Sequence, residues 1–91
     1  MARPRMCRRV NFRPRANYYK PRGIPMSQLE EVLLSKEELE AVKLKDFDGL
    51  EQLEAAKKMK TSQSTFQRIL ASARAKIAQA IVRGDALRIE D

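Results

Sequence analysis

Gln63, Ser64, Gln67 and Arg68 fall at spacings that stack Gln63 over Gln67 and Ser64 over Arg68 on one side of any helix that carries them. Their chemistry suits base edges. A glutamine amide pairs bidentately with adenine, a guanidinium with guanine, and a serine hydroxyl with either. Cations surround the quartet: Lys57, Lys58 and Lys60 come just before it, and Arg74 and Lys76 follow. Ammonium and guanidinium groups there suit phosphates, as does the N-terminus of the helix itself. Gln52 and Ser62, at the starts of two expected helices, complete the set of phosphate or groove contacts.

The charge is unevenly distributed. The chain has 91 residues and a formal net charge of +7, with a pI near 10.0. Residues 1–25 hold eight basic residues and no acid, residues 26–56 are net −6, and residues 57–91 are net +5. Two basic ends around an acidic middle favour a polyanionic partner, met with the middle turned away from it. Arg3, Arg5, Arg8 and Arg9 belong to the first basic block. With Pro4, Pro14, Pro21 and Pro25 in the same segment, they suit an extended arm that follows a minor groove. Those prolines also oppose the amphipathic helix of a transit peptide.

Other chemistries lack their residues. The chain has no histidine and one cysteine, Cys7, so it offers neither the commonest general base nor a Cys/His zinc set, and no intramolecular disulfide. Neither a nucleophile–base pair nor a cofactor loop stands out. No cofactor, metal or enzymatic activity is expected. No apolar run reaches the 18 or so residues of a membrane span, and the N-terminus lacks the apolar core of a secretory signal, so the expected location is the cytoplasm.

The elements that must position the quartet follow from capping and periodicity. At 10.5 kDa, with 43% apolar and 5% aromatic residues, the core must be thin and aliphatic, which favours packed helices. Ser35 to Glu38 reads as a capping box that opens a helix over 36–47, with Leu39, Val42 and Phe47 inward and Ala41 and Leu44 on the flank. Asp48 to Glu51 reads as a second box, opening a helix over 49–59 that buries Leu50, Leu53, Ala56 and Met59. Ser62 caps a third helix over 63–83, with a stripe of Phe66, Ile69, Leu70, Ala73, Ile77, Ala80 and Ile81, and Gly84 stops it. One helical turn is expected within 26–31. Short strands are expected at 8–12, 31–34 and 87–89.

The second and third helices have the pattern of a helix-turn-helix. Ala56 is the small contact residue, and Phe66 follows ten residues later. The turn needs a left-handed residue, usually Gly. Here that residue is Lys60, at about 1 kcal/mol. The expected fold is thus mostly α: a three-helix, helix-turn-helix domain over 26–84, a basic extended arm over 1–25, and a tail or short strand over 85–91.

The segment LSKEELEAVKLKDFDGLEQLEAAKKMKTSQSTFQRILASARAKIAQAI resembles the promoter-reading C-terminal region of bacterial sigma factors. The whole chain, through MARPRMCRRV, YYKPRGIP, EEVLLS and ALRIED, is similar to a family of small prokaryotic proteins, domain of unknown function 134. The resemblance implies double-stranded DNA binding by a transcriptional regulator. A homodimer on a palindromic site would extend the few base pairs one helix pair can read. Two other readings stay open at this stage. One is an RNA-binding accessory protein that stacks bases on Phe12, Tyr18 and Tyr19. The other is an interaction module that docks a basic partner on its acidic middle.

Overall fold

The computed structural model describes residues 10–90. Three helices and a small sheet make up the fold: β1 (Tyr18–Tyr19), β2 (Glu31–Leu34), α1 (Lys36–Val42), α2 (Gln52–Lys58), α3 (Gln63–Arg83) and β3 (Ala86–Ile89). A single 3₁₀ turn covers Met26–Gln28. The sheet order is β1-β3-β2, with β1 antiparallel and β2 parallel to β3. All three helices lie in the connection between the two parallel strands.

The Ser35 capping box forms in full. The Ser35 hydroxyl accepts from the Glu38 amide at 3.1 Å, and Glu38 accepts from the Ser35 amide at 2.8 Å. The helix then widens into a π-helical stretch over Lys43–Phe47, closed by the Asp48 amide on the Lys43 carbonyl at 2.8 Å. This extra residue per turn rotates the side chains. Ala41 and Leu44 enter the core, Leu39 and Val42 sit at its edge, and Phe47, expected inside, is 82% exposed.

The second expected capping box does not form. The Asp48 carboxylate takes the Lys43 ammonium at 2.8 Å instead, Gly49 is left-handed at φ +76°, and α2 begins only at Gln52, with no side-chain cap from Glu51. Ala55 and Ala56 both enter the core, and Leu53, expected there, is 53% exposed.

α3 has the expected bounds. Ser62 accepts from the Thr65 amide at its start, and left-handed Gly84 ends it. Its first half closes over α1 and α2 in a core of Ala41, Leu44, Ala55, Ala56, Met59, Phe66 and Leu70. Further along, Ala73 meets Leu34 and Ile89 of the sheet, with Ile77 and Leu87 beside them. Every residue of the predicted stripe except Ile81 is buried or half-buried, Ala80 included. Ile81 is 75% exposed and borders an open cleft of about 540 Å³ with Tyr19, Pro21, Ile77 and Leu87.

Strands form at 31–34, as expected, and at 86–89, one residue earlier than the expected start at 87. Residues 10–12, the described part of the strand expected over 8–12, are not strand, because the Phe12 amide is committed to the Glu40 carboxylate at 2.8 Å rather than to a ladder. Tyr18–Tyr19 take the third place in the sheet, and the Tyr18 hydroxyl donates to Glu31 at 2.9 Å. The sheet thus draws one strand from each of the segments 1–25, 26–84 and 85–91.

Between α2 and α3, Lys60 has φ +56°, the one positive-φ residue other than glycine among the described residues. Its amide donates to the Lys57 carbonyl at 3.0 Å, and the Thr61 amide donates to the Ala56 carbonyl at 3.0 Å. These two bonds form a Schellman motif, and they hold a lysine where glycine would be unstrained. Lys60→Gly is therefore expected to raise the unfolding free energy by about 0.5–1 kcal/mol in urea titration.

Candidate nucleic-acid interface

Gln63, Ser64, Gln67 and Arg68 are all exposed on the first two turns of α3. Among the described residues their side-chain hydrogen bonds are local: the Ser64 hydroxyl lies 3.4 Å from the Ser62 hydroxyl, and Arg68 reaches the Thr65 hydroxyl at 3.5 Å. The buried neighbours Phe66 and Leu70 fix how the helix is rotated, so the polar side is turned outward. The Ser62 hydroxyl accepts from the Thr65 amide at 3.1 Å and donates to the Thr65 hydroxyl at 2.9 Å, which ties down the first turn.

The cations expected around the quartet divide into two groups. Lys57, Lys58 and Lys60 are exposed and form no ion pair among the described residues. Arg74 and Lys76, expected to clamp phosphate, are engaged within the fold. The Arg74 guanidinium grips both oxygens of Asp46, its Nε at 3.0 Å. That hydrogen bond holds the Asp46 carboxyl below its ordinary range and raises Arg74. The Lys76 ammonium donates to Glu38 at 2.9 Å. Gln52 is half-buried at the start of α2, and Ser62 is exposed. Arg3, Arg5, Arg8 and Arg9 lie outside the described residues.

Glu38 ties α1 to α3. Burial would raise its carboxyl, but hydrogen bonds from the Ser35 amide, the Ser72 hydroxyl and the Lys76 ammonium outweigh burial and hold it below its ordinary value of 4.5. A depressed carboxyl stabilises the fold above its unfolded pKa, and the contribution is lost as pH falls through the lower folded value. Urea midpoints of the wild type should therefore drop below pH 4.5. Glu38→Gln should start less stable at neutral pH and lose less over the same acid range.

Among the tertiary pairings that sequence reasoning missed are Phe12 with Glu40, Arg74 with Asp46, and Lys76 with Glu38. Each spans 28 to 38 residues, beyond any local pattern. It also missed Asn11, which lines a small cleft with Lys57, Lys58 and Lys60. Among the described residues no group of three or more His, Cys, Asp or Glu side chains is placed to hold a metal ion, and no helix is long and apolar enough to cross a membrane.

The family model described as "Protein of unknown function DUF134" matches residues 1–91. Among relatives, a UPF0251 protein of Desulforudis audaxviator is 57% identical over 90 residues, covering 99% of this chain and 59% of its own length. A UPF0251 protein of Dehalococcoides mccartyi is 59% identical, covering 99% of this chain and 77% of its own. A third, from Pelotomaculum thermopropionicum, is 57% identical, covering 98% and 67% respectively. The chain thus spans about three-fifths to three-quarters of the length of these relatives. No solved structure matches it. The match along the full chain, with identities this high, shows that the chain belongs to the DUF134 family.

Proposed function

We propose that this protein binds double-stranded DNA sequence-specifically, as a cytoplasmic transcriptional regulator without enzymatic activity, by laying the start of α3 in the major groove. The observation that carries the reading is the outward quartet Gln63, Ser64, Gln67 and Arg68, set after a rigid left-handed turn and beside three lysines free of ion pairs among the described residues. A recognition helix works in this way: base-reading groups sit near its N-terminus and phosphate contacts flank them. Gln63 and Gln67 pair with adenine, Arg68 with guanine, and Ser64 with either. Lys57, Lys58 and Lys60 supply the sequence-independent attraction. A second copy on a palindromic site would double the base pairs read.

The two rival readings have less to stand on. Of the aromatics in the RNA reading, Tyr18 is half-buried with its hydroxyl bonded to Glu31, and Phe12 lies under the Lys43 ammonium, which leaves Tyr19 as the ring without such a partner among these three. In the acidic middle, Glu31, Glu38, Glu40, Asp46 and Asp48 are engaged within the chain. Competition at fixed salt tests the proposal. A labelled duplex pool should be displaced by unlabelled duplex DNA at lower concentration than by single-stranded RNA of equal length. Displacement by RNA at the lower concentration would overturn it.

A further inference from the structure

The described chain enters the fold beside the turn. The Phe12 amide donates to the Glu40 carboxylate at 2.8 Å, Glu40 is only 4% exposed, and the Lys43 ammonium lies 5.6 Å from the centre of the Phe12 ring. Two contacts of different kinds thus converge on Phe12. They fix its neighbour, Asn11, against the turn, where Asn11, Lys57, Lys58 and Lys60 line a cleft of about 270 Å³. Among the described residues no carboxylate lines it. In the adjoining cleft the two carboxylates are already engaged, Glu40 by the Phe12 amide and Asp48 by Lys43. The small cleft offers three ammonium groups and one uncharged amide, which is a donor set for a ligand rich in acceptors and negative charge.

We propose that this cleft seats a backbone phosphate of the bound nucleic acid, with Asn11 as its directional donor, and that Glu40 is a positioning residue that holds Asn11 there through the Phe12 amide. The seat deepens the DNA-binding reading and rests on it for the identity of the ligand. Lys60 stands three residues before Gln63, so a phosphate held here lies at the entrance end of the helix that presents the quartet. The lysines act as point charges, and the amide fixes which oxygen faces the protein.

The test has two arms on the full chain. In the first, sodium pyrophosphate is titrated while the side-chain amide signals of Asn11 are followed by NMR. They are expected to shift in the wild type and in Glu40→Gln, which keeps an acceptor for the Phe12 amide, and to stay still in a folded Glu40→Ala. In the second, duplex affinity is measured against salt. Asn11→Asp sets a carboxylate among the lysines and should lower the slope of log K on log salt by about 0.9, the contribution of one phosphate contact. Arg83→Ala, at the far end of α3, should leave the slope unchanged. If Asn11 shifts with pyrophosphate but no duplex binds, the seat stands and the DNA reading falls. If duplex binds but Asn11 neither shifts nor alters the slope, the seat is overturned and the DNA reading stands. An Asn11 shift that persists in Glu40→Ala overturns the positioning role.

Discussion

Phe66→Ala is expected to lower the unfolding free energy by about 3–5 kcal/mol. Phe66 is fully buried and sits in the core that joins the π-helical stretch, α2 and the first half of α3. Its neighbours there include Ala41, Ala55 and Ala56, side chains too short to close over the vacated space. A domain this small has on the order of 5 kcal/mol in total, so the variant should be largely unfolded near room temperature. Phe66→Leu keeps most of the volume and should lose about 1.5 kcal/mol or less. Urea unfolding followed by circular dichroism separates the two. If Phe66→Ala unfolds at the wild-type midpoint, the packing of α3 on α2 described above is wrong.

The second large effect concerns binding and leaves the fold alone. On the proposed reading, Gln67→Ala and Arg68→Ala should each weaken duplex binding by about 1–3 kcal/mol, the cost of one base contact. Together they should weaken it by about 2–6 kcal/mol, provided the two contacts do not share a base pair. Both side chains are exposed, so the thermal midpoint of the double variant should stay within a few degrees of the wild type. The contrast with Phe66 is the informative part: adjacent residues on α3 should divide cleanly into one that holds the fold and two that read DNA. Titration calorimetry and thermal melts on the same samples measure both. Unchanged affinity in a folded double variant would remove the quartet from the interface.

Local features were readable along the chain, and tertiary ones were not. Ser35, Ser62, Gly84 and the left-handed turn at Lys60 could be placed because each rests on hydrogen bonds that close within a few residues. The box expected at Asp48 failed because a lysine five residues earlier took the carboxylate, and a helix over 36–47 gave no warning that its last turn would widen. That widening is why Phe47 points out and Leu44 in. Leu53 and Ile81 fit the helical period but face solvent, because period sets which residues share a side and only the neighbouring elements decide how far that side is covered. The outward quartet was legible in the sequence from its spacing against Phe66. That Arg74 and Lys76 are held by Asp46 and Glu38, leaving Lys57, Lys58 and Lys60 with no such partner among the described residues, was not.

Sequence selection from a random duplex pool tests the central claim most directly. The wild-type chain should enrich one short motif, with adenine and guanine at the positions facing Gln67 and Arg68, and the folded Gln67→Ala, Arg68→Ala variant should lose the preference at those positions. A pool that stays random after repeated rounds, or the same motif enriched by wild type and variant alike, would contradict it.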